Sequence, residues 1–335
     1  PVEMLLNCTL KFVKQALFRA CLFLGLFFLG ACKSDIPNHA EAFWFNTQKD
    51  SLIVKGEQQN YAVALKKYQN IVILNNTAVE YLNQINVHKN VKAIVDWNNV
   101  QKFYPNWGNS INISSDQALS TEQLWVLQPD LIIVNDHQYK NYAKLHQQLN
   151  FLVMEEYKAP TLQQKVQYIK VFGALFQKEM EAATYYKQEE LALQNINFLS
   201  HATVAQLDCY NGNYFLPTCN SPLAHYLLSK NIRFTCLDNA IGTEIPKEKA
   251  QEVVVLNDYF LVIDWDKNRV EPTDILTSWN IQIPKDKKII YCNAVLTNYF
   301  LKMAVQPSEL LHDLQIVLDT QKNGKYFKIF SFKGN

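Results

Sequence analysis

The sequence predicts an α/β protein built as two lobes joined by one long helix. Three observations carry that expectation. Short apolar runs alternate with helical patterns over residues 71–154, a proline-free helical stripe runs from 161 to about 196, and a second set of strand runs begins at 204. Strand, helix and strand in succession imply parallel strands joined by right-handed crossovers, so each half is expected to be Rossmann-like.

The elements follow in order. Residues 52–54 and 61–65 alternate in polarity and read as antiparallel edge strands before the first lobe. Residues 71–74 form a buried-strand run ended by Asn75-Asn76. Ala78, Val79, Leu82 and Ile85 then recur at helical spacing behind Asn76 or Thr77 as cap. Strands are expected at 91–95, 111–113, 131–134 and 151–154. One helix capped by Ser120 or Thr121 should stop before Pro129, and another should cover 142–149. Leu162, Val166, Ile169, Phe172, Phe176 and Met180 mark the long helix, which at 1.5 Å per residue would reach roughly 50 Å. In the second half, strands are expected at 204–207, 232–234, 259–263 and 288–291, with helices at 223–229, 247–256, 273–279 and 308–319. The implied boundaries are 32–65 for a tether with edge strands, 66–160 for the first lobe, 161–197 for the connecting helix and 198–335 for the second lobe.

Composition excludes whole classes of function. At 335 residues the chain suits two domains, and 48% hydrophobic against 19% charged residues is too apolar for a disordered chain. A net charge of +1 leaves no cation excess for a nucleic-acid binder. No G-x-G-x-x-G, P-loop, G-x-S-x-G or H-E-x-x-H pattern occurs, so no catalytic residue and no cofactor is expected. The seven histidines are scattered without metal-ligand spacing, and no metal site is expected either.

The N-terminus reads as an export signal. Lys11, Lys14 and Arg19 precede an apolar run at 20–30, too short to span a bilayer comfortably. Leu29-Gly30-Ala31-Cys32 followed by Lys33-Ser34-Asp35 resembles a bacterial lipobox. That resemblance implies a signal peptide over 1–31, cleavage before Cys32, lipid on its thiol and a membrane-tethered body in the cell envelope. Because the first residue is Pro1 rather than Met, a longer N-terminus is expected. The body retains Cys209, Cys219, Cys236 and Cys292 without a C-x-x-C. Cys209 and Cys219 are the nearest pair for a disulfide, and free thiols are an equal alternative.

The segment from Ser120-Thr-Glu122 through Pro129-Asp130 to Val134 resembles one in class III periplasmic solute-binding proteins, which serve ABC importers of iron-siderophores, haem or cobalamin. Residues 71–85 resemble that family's first strand and helix, with Asn86 where glycine is usual. Val91 to Asp96, Tyr104-Pro105 and Gly108 continue the register. The resemblance implies two lobes joined by a single inter-lobe helix, no enzymatic activity, a small-molecule ligand in the inter-lobe crevice and a permease dimer as partner of the monomer. It also implies one docking glutamate per lobe: Glu122 in the first, Glu248 in the second, with Glu252 and Glu244 as alternatives.

Ligand contacts are then expected in loops after the strands, where aromatic rings suit a flat macrocycle or catecholate. The candidates are Trp97, Tyr104, Trp107, His137 and Tyr139 in the first lobe, and Tyr210, Tyr214, Asn293 and Tyr299 in the second. Only Arg233 and Arg269 remain beyond the signal segment, which favours a weakly charged ligand such as a corrinoid. Two rivals stand beside this: a zinc or manganese receptor of the related metal-binding group, and a surface lipoprotein that captures ligand without an ABC partner.

Overall fold

The computed structural model describes residues 44–115, 119–210, 212–238, 244–269, 271–272 and 279–331. Cys32 and the segment expected to be an export signal lie outside the described residues, as does most of the helix expected at 273–279.

Strands β1 (Phe45–Gln48), β2 (Ser51–Lys55) and β3 (Asn60–Ala64) form an antiparallel meander. Leu52, Val54, Tyr61 and Val63 are its buried alternate positions. The meander was expected as an addition to the edge of the parallel sheet. It is a separate sheet instead, with β3 passing beside the edge strand of the first lobe and Tyr61 packed edge-on against Tyr139.

The first lobe comprises β4 (Ile71–Ile73), α1 (Thr77–Gln84), β5 (Val91–Val95), α2 (Trp97–Val100), β6 (Ile111–Ile113), α3 (Thr121–Leu127), β7 (Leu131–Asn135), α4 (Asp136–Tyr142) and β8 (Phe151–Met154). The strands lie in the order β6-β5-β4-β7-β8, all parallel. Strands β4, β7 and β8 are almost wholly buried, as continuous apolar runs require when both faces are covered. Ser120 and Gln123 form the capping box that starts α3. A second capping box, Asn135 with Gln138, starts α4 at 136, six residues before the helix expected at 142. Asn86 has φ 57°, a left-handed conformation that asparagine tolerates in place of glycine.

The helical stretch over 161–197 is three helices: α5 (Leu162–Gln167), α6 (Ile169–Phe176) and α7 (Glu179–Asn195). Gln177 turns left-handed at φ 57°, and the Lys178 amide donates to the Gly173 carbonyl at 2.7 Å. A Cβ on Gly173 would meet that of Ala182 at 2.6 Å, so α7 folds back closely along α6. The single helix joining the lobes is therefore α7, about 25 Å long at 1.5 Å per residue rather than roughly 50.

The second lobe runs β9 (Thr203–Gln206), β10 (Asp208–Tyr210), β11 (Asn213–Phe215), α8 (Pro222–Ser229), β12 (Arg233–Thr235), β13 (Glu244–Ile245), α9 (Lys247–Leu256), β14 (Tyr259–Asp264), β15 (Lys288–Asn293), α10 (Ala294–Thr297), α11 (Tyr299–Val305), α12 (Pro307–Thr320) and β16 (Lys328–Ser331). Its main sheet has the order β12-β9-β14-β15-β16, parallel except for β16, while β10, β11 and β13 form a small antiparallel sheet. The run β12-β9-β14-β15 matches β5-β4-β7-β8 of the first lobe in order and direction, so the two halves repeat one plan. The disulfide joins Cys219 to Cys236 across the parallel bridge of Thr218 and Leu237, whereas Cys209, expected as the nearest partner, is a free thiol in β10.

The lobes meet where α11 packs against α1 and α5. At that seam the Tyr81 hydroxyl donates to the Lys165 carbonyl at 2.6 Å with the Ala304 carbonyl 3.4 Å away, and Asn298 Nδ2 donates to the Tyr104 hydroxyl at 2.9 Å.

Candidate functional site

Open α/β sheets bind ligands beyond the carboxyl ends of their strands. Here that region of both lobes borders one cavity of about 390 Å³. The first lobe contributes Asn76 and Asp96 from the turns after β4 and β5, and Asn99 and Val100 from α2. The second contributes Trp265 and Lys267 after β14, and Ala294, Asn298 and Phe300 after β15. Trp265 and Phe300 stack with centroids 3.9 Å apart and planes 13° from parallel, and Trp265 stays 67% exposed. Such an exposed aromatic face is a large apolar surface awaiting a partner. Asn76 Oδ1 is buried with no hydrogen-bond partner in the protein. Asp96 holds a left-handed φ of 49°, a conformation that costs energy outside glycine. Asp96 and Lys267 are the titratable residues among those lining the cavity.

The loop carrying Trp265 is fixed from below. The Asp264 carboxylate accepts from the Tyr291 hydroxyl at 2.8 Å and from Arg269 Nη1 at 3.3 Å. Asn293 Nδ2 donates to the carbonyls of Asp266 and Arg269, both at 2.7 Å, while its Oδ1 accepts from the amides of Val295 and Leu296 that begin α10. Asn293 is thus a buried positioning residue, not the ligand contact expected from the sequence.

Of the nine sequence-derived ligand residues, the eight whose side chains are described do not line this cavity, although Trp97, Asn293 and Tyr299 sit next to residues that do. Trp97, Tyr104 and Trp107 are 2%, 4% and 5% exposed and pack on one another with centroids 5.6–6.2 Å apart. The Tyr104 hydroxyl donates to Glu80 Oε2 at 2.5 Å, and Trp107 Nε1 donates to Asn83 Oδ1 at 3.1 Å. Burial and then the Glu80 charge raise the Tyr104 pKa, so it stays a neutral donor. Tyr214 and Tyr299 belong to the hydrophobic cores of the second lobe, Tyr214 donating to the Trp279 carbonyl. Closed packing removes all five of these aromatics from ligand contact. Tyr139 packs between Tyr61 and Phe151 beside the N-terminal meander. Tyr210 closes β10, and its side chain lies outside the described residues.

His137 is exposed at the start of α4, with the Tyr157 hydroxyl 3.0 Å from its Nε2. Beside them Lys158 bridges Glu57, Asp136 and Glu155, each at 3.0 Å. Burial opposes ionisation of Asp136, yet hydrogen bonds from Tyr157 and Lys158 hold its carboxyl below the usual range. Burial and the Asp136 hydrogen bond push Tyr157 up to about 12.

Glu122 and Glu248 are the second residues of α3 and α9, both exposed. Helix α3 precedes β7 and α9 precedes β14, which are matching strands of the repeated plan. Each helix begins near the carboxyl ends of its sheet, on the side of the crevice. The Glu122 carboxylate accepts first from its own backbone amide and then from Ser120, which lowers its pKa. Glu252 is paired with Lys249 at 3.0 Å, and Glu244 lies in β13, so Glu248 occupies the position equivalent to Glu122.

Two matched α/β lobes thus border a crevice that carries an open aromatic stack. Residues 71–197 match the family model described as periplasmic binding protein. The family match is confined to that segment, and the likeness that extends over both lobes is one of fold, the two-lobed α/β fold of solved periplasmic binding proteins. A petrobactin-binding protein of Bacillus subtilis superposes with a TM-score of 0.62 at 14% identity, over 79% of this chain and 98% of that one. A periplasmic haem-binding protein of Pseudomonas aeruginosa gives 0.59 at 10%, over 80% and 100%. A periplasmic catecholate-siderophore binding protein of Vibrio cholerae gives 0.58 at 17%, over 81% and 99%. No curated protein matches the chain.

Proposed function

We propose that the protein captures a flat small molecule of the siderophore, corrinoid or haem class in the inter-lobe crevice and delivers it to an ABC importer. The exposed Trp265–Phe300 stack carries this reading, because it offers the crevice an aromatic platform with no protein partner above it. The solved proteins of the same fold are described as binding petrobactin, haem and catecholate siderophores, which supports that ligand range.

Charge narrows the ligand. Arg233 is bound to the His201 carbonyl and Arg269 to Asp264 and Asp266, so neither faces the cavity. With Lys267 balanced by Asp96 in the lining, the crevice favours a neutral or weakly charged guest over a trianion. Among the described residues no group of three His, Cys, Asp or Glu side chains is arranged to hold a metal ion, so nothing in the crevice favours the zinc or manganese alternative. Glu122 and Glu248 are the docking pair for permease arginines, and lipid on Cys32 holds the body at the membrane outside the cytoplasm.

Tryptophan fluorescence titrated with haem, cobalamin and a ferric catecholate tests the crevice. Quenching by at least one, lost in Trp265→Ala, is expected. Quenching by none of the three would overturn the ligand class. Glu122→Lys with Glu248→Lys should abolish cellular uptake while leaving affinity intact, and unchanged uptake would remove the docking role.

A further inference from the structure

The opposite end of the first lobe holds a second cavity, of about 430 Å³, at the amino-terminal ends of β4 and β5. Lys66, Lys67 and Lys89 stand around its mouth, all exposed. Its floor is apolar, made by the buried Tyr68 and Leu175 with Phe176, whose ring meets Tyr68 edge-on at 6.2 Å. Among the described residues none of the three lysines has an ion-pair partner, and Lys66 Nζ lies 5.4 Å above the Tyr68 ring.

The lysines have a structural explanation to be weighed first. Helices α1 and α6 both end at this cavity, and each carboxyl end carries roughly half a negative charge that cations complement. Asp130 lies near Tyr68 as well, its carboxylate held by the amides of Gln69 and Asn70. Two half charges and one carboxylate amount to about two negatives against three full positives. A net positive charge therefore remains over an apolar floor, more than capping the helices requires.

We propose that this cavity binds an amphiphilic anion: a phosphate or carboxylate held by the lysines, with an apolar portion on Leu175 and Phe176. A free metabolite and an anionic lipid headgroup share this chemistry. The site is independent of the crevice, which lies at the carboxyl ends of the same strands.

Calorimetry on the full chain with hexyl phosphate, inorganic phosphate and hexanol tests it. Hexyl phosphate should bind at least tenfold more tightly than inorganic phosphate, since burying about two methylenes is about tenfold in affinity. Hexanol should not bind. Lys66→Ala, Lys67→Ala and Lys89→Ala combined should weaken hexyl phosphate at least tenfold without moving the melting temperature, as all three side chains are exposed. A lysine-dependent excess on phosphatidylglycerol over phosphatidylcholine vesicles, together with hexyl phosphate binding, assigns the headgroup; hexyl phosphate binding without that excess assigns a soluble anion. Equal affinity of the triple variant, equal affinity for the two phosphates, or vesicle capture without hexyl phosphate binding overturns the proposal.

Discussion

Trp97, Tyr104 and Trp107 in the first lobe and Trp265 with Phe300 in the second are aromatic clusters on segments that follow parallel strands. The first group is closed on itself, with its polar atoms donated to Glu80 and Asn83. The second is tied down only through its backbone loop, and one face of Trp265 is left open. Both are aromatic groups downstream of a strand, and what separates scaffold from platform is whether neighbouring side chains have already used the ring faces.

Substitutions can break that distinction, beginning with the largest effect. Trp107→Ala should cost about 3–5 kcal/mol in urea unfolding, the range for emptying a buried aromatic site. A loss under 1 kcal/mol would mean the trio is not a core. Tyr104→Phe should cost about 1–3 kcal/mol, because it strands Asn298 Nδ2 and Glu80 Oε2 in a dry seam. The same denaturation measurement reads it, and a neutral result would argue against the seam network.

Trp265→Ala should behave oppositely: at least tenfold weaker binding of whichever ligand quenches the native protein, with stability within about 0.5 kcal/mol. The smallest effect concerns the support of α11, which carries Phe300. Glu309 accepts from Lys302 and Lys325 at 2.6 and 2.7 Å and from Tyr326. Burial opposes its ionisation, yet these donors lower its pKa to about 2. A depressed folded pKa stabilises above the unfolded value of about 4.3 and is lost as pH falls toward 2. Glu309→Gln should therefore cost about 1 kcal/mol at pH 7, with solvent screening keeping it small, and flatten the stability profile between about pH 4.5 and 2.

How far the sequence could be read follows the same division. Strands β5, β6 and β8 and helix α9 lie within their expected bounds, because buried runs and helical stripes are local properties of the chain. The break at Gln177 carries neither glycine nor proline; its only local trace is Gly173, needed where α7 closes on α6. The pairing of Cys219 with Cys236 depends on a bridge between distant segments and was not legible. Of the loops expected to hold ligand contacts, those after β5 and β15 border the cavity, but with other side chains: Tyr299 lies in the core while its neighbour Phe300 lines the cavity, and Asp96 lines it while Trp97 is buried. One overlooked signal was available, since Trp265 directly follows the strand that ends at Asp264.

The seam between α1 and α11 has a consequence for unloading. Swinging the halves apart would break the bond from Asn298 to Tyr104 and uncover α11 where it packs on α1 and α5, while Tyr81 keeps its bond to the Lys165 carbonyl. Water in the opened seam would replace the lost bond at a net cost of about 0.5–1.5 kcal/mol, and the apolar surface uncovered adds about 25 cal/mol per Å², so opening is uphill. Under the proposed function, a partner that grips both lobes would supply that work.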